Sequence, residues 1–286
     1  MSRAARWRGG GLVLVLVIPP VAEVAEAQRV LRELLADVDD DQVRAPSALP
    51  GWSRGHVLAH LTDNARMFAR LAEHALCGER VPTYEGGQAE RDAIIEATAG
   101  RTAAEHRAAL AGHTRTLMAV WSRAAAEDWR RPVAFRDADI AATVFARWRE
   151  VWIHMVDLDL GVGPADWPRQ LAAHALDFLL GRLPHGICLV ATDLDRRWHT
   201  GGEGTAPGHE GTTPGHEGTT PGHEGTAPVR EGTAPVREVC GGVRDLAAWL
   251  AGRVPDSPPR CPDGLPELGP WPPHPPQPAR RTDAGP

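Results

Sequence analysis

The chain has 286 residues and a formal net charge of −6; its 31 basic residues are all arginine, and tryptophan (10) outnumbers phenylalanine (4) and tyrosine (1). That length accommodates two domains of roughly 100–200 residues, and the mild acidity provides no clustered cations to face phosphates, which sets nucleic-acid binding aside. The composition reads as the codon bias of a GC-rich genome, and Cys77, Cys188, Cys240 and Cys261, with no C-x-x-C pair, signal neither a zinc ribbon nor a disulfide framework, so a reducing compartment fits best.

Residues 1–20 read as an N-terminal extension. Arg3, Arg6 and Arg8 precede the apolar run Leu12 to Ile18, and Ala25-Glu26-Ala27 loosely imitates a signal-peptidase site. The run stops at Pro19-Pro20 and two glutamates lie where a cleavage region is bland, so a start codon placed too early explains it better than secretion. No stretch approaches the roughly 18 apolar residues that span a bilayer, and no membrane partner is expected.

Residues 21–163 carry helical periodicity. Val24, Ala27, Val30, Leu31, Leu34 and Leu35 predict a first helix over Val21 to Val38. Prolines and a glycine between Pro46 and Trp52 break it, and Ser53 is placed to cap a second helix over Arg54 to Cys77, with Val57, Leu61, Asn64, Phe68, Leu71 and Ala75 on its buried stripe. A polar loop near Pro82 to Gly87 leads to a third helix, Thr102 to Ala126, and a fourth runs from Ala138 to Leu160. Four such helices predict a mainly α architecture built on a four-helix bundle.

Residues 164–271 predict a small α/β (α+β) C-terminal domain: a helix from Gln170 to Leu183, a strand over Gly186 to Thr192, its partner over Arg196 to Thr200, and a helix over Val243 to Arg253. Residues 203–237 interrupt it with five heptads, EGTAPGH, EGTTPGH, EGTTPGH, EGTAPVR and EGTAPVR. Each holds Pro and Gly and no apolar pair, so the tract reads as a disordered insertion rather than a coiled coil. His209, His216 and His223 recur in it, as tandem duplication alone would produce. Residues 272–286 form a Pro-rich tail, preceded by Leu265, Leu268 and Trp271, which can dock on the last domain.

The candidate chemistry lies on the second and fourth helices. Glu150 and His154 are one turn apart on one stripe, and His60, one turn from Val57 and Asn64, flanks the stripe of the second helix. Together they offer N, O and N donors for one divalent ion, best matched by zinc, with a position left open for chemistry. On spacing alone an ordinary pairing of Glu150 with Arg147 remains an alternative. His56, in the first turn, reads as a solvated and weaker candidate; Asp157 reads as an alternative ligand or, better, as a group orienting one.

Two stretches, LPGWSRGHVLAHLTDNA (Leu49 to Ala65) and WREVWIHMVDLDLG (Trp148 to Gly161), resemble the mycothiol-dependent maleylpyruvate isomerase family of DinB-like proteins. VPTY near Tyr84, the segment Leu189 to Gly202, DLAAWLAGR (Asp245 to Arg253) and LPELGPW (Leu265 to Trp271) extend the similarity over residues 21–271 outside the heptads. The resemblance implies a DinB-like bundle followed by a small α/β domain, a metal trio falling on His60, Glu150 and His154, and a cytoplasmic, actinobacterial enzyme using the thiol mycothiol.

The reaction it implies is cis–trans isomerisation of maleylpyruvate to fumarylpyruvate by reversible thiol addition. A second-domain arginine is implied to hold the substrate's carboxylates and developing enolate, and Arg253 is the best match, with Arg244 as rival. Met155 and Trp152 depart from the family pattern without touching the trio. A mycothiol S-transferase acting on another electrophile, a noncatalytic zinc-binding regulatory or interaction protein, and a bundle with an incidental polar network are the rival readings.

Overall fold

In the computed structural model, which describes residues 19–201 and 237–271, amphipathic periodicity becomes a helical bundle. Helix α1 (Val21–Leu34) buries Val24, Ala27 and Leu31. It ends at Leu34 rather than Val38, because the chain turns there into the short α2 (Asp40–Arg44), held by a reciprocal cap between Asp39 and Gln42. Helix α3 (Arg54–Leu76) starts at Ser53, whose Oγ accepts from the His56 amide at 3.3 Å while His56 Nδ1 accepts from the Ser53 amide at 3.2 Å. His56 is thus spent on satisfying the free amides of a helix start and is not the solvated side chain that its position in the first turn suggests.

Helix α4 (Gly87–Ala99) is not signalled by the periodicity, since it buries only Ile95 and Ala99. It comes so close to the start of α3 that a Cβ on Gly55 would lie 2.2 Å from the Ala99 carbonyl oxygen; only glycine permits that approach. Helices α5 (Ala103–Trp121) and α6 (Ile140–Asp157) complete the unit, with α3 packed on α5, α4 and α6, and α1 on α6 and α5. The stripe predicted on α3 is buried, with Phe68 at 0% exposure, and α6 buries Val144, Val151 and Met155.

Beyond it come α7 (Arg169–Leu179), β1 (Ile187–Ala191), β2 (Arg197–His199), β3 (Arg237–Gly241) and α8 (Val243–Leu250). The sheet order is β2-β1-β3. β2 pairs antiparallel with β1, as expected for two strands joined by a short turn, whereas β3 pairs parallel to it with Ile187 opposite Arg237. β3 was not expected: it has one fully buried residue, Val239, and ends in Gly241, which Gly242 follows. Arg237, which the repeat pattern assigns to the insertion, is therefore the first residue of a strand. α7 and α8 pack on each other, and the returning chain is pinned by a Gly269 amide to Arg182 carbonyl bond of 2.7 Å, which brings Trp271 to Phe178.

Ala25 to Ala27 lie inside α1, with Ala27 fully buried. Most of the N-terminal extension, the repeats with His209, His216 and His223, and the Pro-rich tail lie outside the described residues. Among the described residues no helix is long and apolar enough to cross a membrane, and all four cysteines are free.

Candidate active site

The register of α3 against α6 brings the sequence-predicted trio together. His60 Nε2 lies 2.7 Å from Glu150 Oε2, and His154 Nε2 lies 3.4 Å from the same oxygen. One donor atom from each of the three residues falls within 4.8 Å of the others. The two imidazoles meet edge to face with centroids 4.6 Å apart. Four-coordinate zinc with bonds of about 2.0–2.1 Å places its donors about 3.3 Å apart, so the set fits once the His60–Glu150 contact opens. The expected competitor for Glu150 is engaged elsewhere: Arg147, fully buried, donates to the Leu61 carbonyl at 2.7 Å and to Asn64 Oδ1 at 2.9 Å.

Asp157 is not in the cluster but behind it, accepting from His154 Nδ1 at 2.7 Å. That leaves His154 Nε2 directed to the trio, the arrangement in which a carboxylate fixes a metal-binding histidine. Asp157, 1% exposed, also pairs through both oxygens with Arg253, which reaches over from the turn after α8. Arg253 is therefore held in place by a buried carboxylate. Arg244, its rival, instead donates to the Trp167 carbonyl.

The electrostatics follow from these contacts. Burial lowers the His60 pKa and outweighs its bond to Glu150, so the ring is neutral. Burial opposes ionisation of His154 too, but bonds to Asp157 and Glu150 win and raise its pKa. Burial would raise Glu150, yet the two histidines hold it well below the ordinary carboxylate range. Asp157 behaves in the same way, lowered by His154 and Arg253 against its burial.

The trio opens into a cavity of about 420 Å³ whose lining includes Tyr84, Arg91, Arg136, Arg149, Arg253 and Trp271. Sequence reasoning singled out Arg253 alone among these arginines. Arg91 comes from the unanticipated α4 and its NH2 lies 3.1 Å from His60 Nδ1. Arg149 sits inside the recognised α6 motif, next to Glu150, and its adjacency was the one signal available. Tyr84 donates its hydroxyl to Asp63, which also pairs with Arg66. An acidic trio edge facing arginines on several sides suits an anionic ligand approaching a bound cation.

Residues 24–159 match the family model described as the mycothiol maleylpyruvate isomerase N-terminal domain. Crystal structures of the mycothiol-dependent maleylpyruvate isomerase and of a histidine-to-alanine mutant of it are similar to this chain, each with a TM-score of 0.69 and 21% identity, over 88% of this chain and 95% of theirs. At that identity the likeness shows the fold, a helical bundle followed by a small α/β unit. No curated protein sequence matches the chain.

Proposed function

From the match of residues 24–159 to the mycothiol maleylpyruvate isomerase N-terminal domain model, we propose that the chain belongs to that family and is a metal-dependent, mycothiol-using enzyme that isomerises maleylpyruvate to fumarylpyruvate. The observation carrying this reading is the convergence of His60, Glu150 and His154 at one end of an arginine-lined cavity. A divalent ion held by the trio, zinc by the preference of imidazole and carboxylate donors, would lower the pKa of a thiol at its open position.

The thiolate sulfur adds to one carbon of the cis double bond, forming a C–S bond as the π electrons move into the adjoining carbonyl to give an enolate. The former double bond, now single, rotates. Collapse of the enolate restores the double bond in the trans geometry and expels the thiolate, so the thiol is regenerated and no redox change occurs. In this scheme Arg253, fixed by Asp157, offers positive charge where the enolate develops, and the apolar lining by Ile153, Phe178 and Trp271 limits water that would quench it.

The testing experiment is elemental analysis of the purified full chain, followed by a spectrophotometric assay of maleylpyruvate with and without mycothiol. Near-stoichiometric zinc and isomerisation that requires the thiol are expected. Mycothiol consumed as a stable adduct would replace the isomerase by an S-transferase. Zinc without any thiol-dependent turnover would leave the noncatalytic reading, and a chain that takes up no metal would sink the proposal.

Arg91 bears on loading of the site. A guanidinium can only donate, so His60 Nδ1 accepts from it and Nε2 carries the proton given to Glu150. Holding an ion through Nε2 requires that proton on Nδ1, where it faces the Arg91 cation. Arg91→Gln, which offers a carbonyl oxygen instead, is expected to bind zinc about tenfold more tightly, read by competition with a chromogenic chelator. Equal or weaker binding would remove Arg91 from this role.

A further inference from the structure

Among the described residues Arg149 forms no salt bridge. It precedes Glu150 on α6, is 8% exposed, and lines the cavity. Its NH1 donates to His174 Nε2 of α7 at 2.6 Å, and its guanidinium carbon lies 3.8 Å from the centre of the Phe178 ring. Among the described residues His174 is its only hydrogen-bonding partner. The neighbouring cations differ: Arg253 pairs with Asp157, and Arg91 with Asp92. His174 is itself fixed as a neutral acceptor, pushed down to about 3 by burial and then by the charges of Arg149 and Arg196.

A largely buried guanidinium with one hydrogen bond and no salt bridge among the described residues turns its remaining N–H groups to the cavity, and a planar carboxylate is the ligand its fork fits. A purely structural tie between α6 and α7 would be better made by a neutral or apolar pair. The cation instead borders the trio's cavity, clamped between a neutral imidazole and an aromatic face that hold it without neutralising it.

We propose that Arg149 anchors one carboxylate of the substrate, so that the site selects dianions. This rests on the reading of the cavity as the binding place of an unsaturated oxo-dicarboxylate, and it adds the residue that recognises the acid group not served by Arg253. His174 and Phe178 act as positioning residues for it, which makes the α7 segment part of substrate recognition.

The test uses the zinc-loaded full chain without thiol, titrated calorimetrically with maleylpyruvate and separately with maleate, for wild type, Arg149→Met and Arg149→Lys. The Met variant is expected to bind both dianions at least about tenfold more weakly, with Lys recovering part of the loss and zinc content unchanged. Its melting temperature without ligand is expected to equal or exceed that of wild type, whereas a structural role predicts a fall. Unchanged affinity in Arg149→Met, or its failure to fold, would overturn the proposal. Wild type that binds maleate through Arg149 but not maleylpyruvate would leave the anchor standing and remove the proposed substrate; wild type that binds neither would remove both.

Discussion

Glu150→Ala is expected to lose its metal and, with it, thiol-dependent turnover. Glu150 is the one anion of the trio, and its oxygen is the point on which both histidines converge. Without it two imidazoles and no anion would face a cavity bordered by Arg91, Arg136, Arg149 and Arg253, whose field opposes any dication. A weakening of zinc affinity by about three orders of magnitude follows, equivalent to about 4 kcal/mol at 1.4 kcal/mol per tenfold change. Glu150→Gln, which keeps the shape and removes the charge, should lose nearly as much. Chelator competition gives the affinity and the isomerisation assay gives kcat/KM; if either variant retained stoichiometric zinc with wild-type turnover, the trio would not be the metal site.

Asp157→Asn is expected to give the second largest effect, and on two properties at once. The carboxylate joins His154 to Arg253 with its side chain 2% exposed, and an amide has only one oxygen with which to serve both donors. The loss of orientation at His154 should weaken zinc binding about 10–100-fold. Leaving the largely buried Arg253 without its counter-ion should cost about 3 kcal/mol of stability, read from urea denaturation.

The pH dependence gives a further check on the same variant. The folded-state pKa of Asp157 is depressed, because His154 and Arg253 outweigh the burial that would raise it. Its contribution to stability is therefore complete above the unfolded value of about 3.9 and is lost as pH falls through the lower folded value. The stability difference between wild type and Asp157→Asn should widen as pH falls through the His154 range, because the bond to Asp157 raises that pKa, and then shrink below about pH 4 as Asp157 protonates. A gap that persisted to the lowest pH would assign the effect to shape rather than charge.

Much of this site could be read before any coordinates. Glu150 and His154 share a stripe because helical geometry places residues one turn apart on one side, and the same periodicity located α3, α6 and their buried faces. His60 was recognisable because it flanks the apolar stripe of α3, and the motifs around it carried the family resemblance. Ser53 announced the start of α3 through its ability to accept from free amides. The β1–β2 pair was visible because an apolar run, a turn and a short alternating segment follow one another in the chain.

What stayed hidden depends on partners distant in sequence. Arg91 went unnoticed because α4 buries only Ile95 and Ala99, and a helix held against the fold by so narrow a contact shows little hydrophobic period. β3 forms because it can extend the β1 edge in parallel, a non-local pairing that a five-residue segment does not reveal on its own. Asp157 and Arg253 are separated by 96 positions and meet only when the turn after α8 packs beside α6. Arg149 was in view, yet the absence of a salt bridge to it among the described residues is a property of everything around it. Local periodicity and capping thus determined the two helices that carry the trio and the donors they present. Tertiary packing alone decided which charges are paired and which is left facing the cavity, because side-chain electrostatics depend on burial and on neighbours from every packed element.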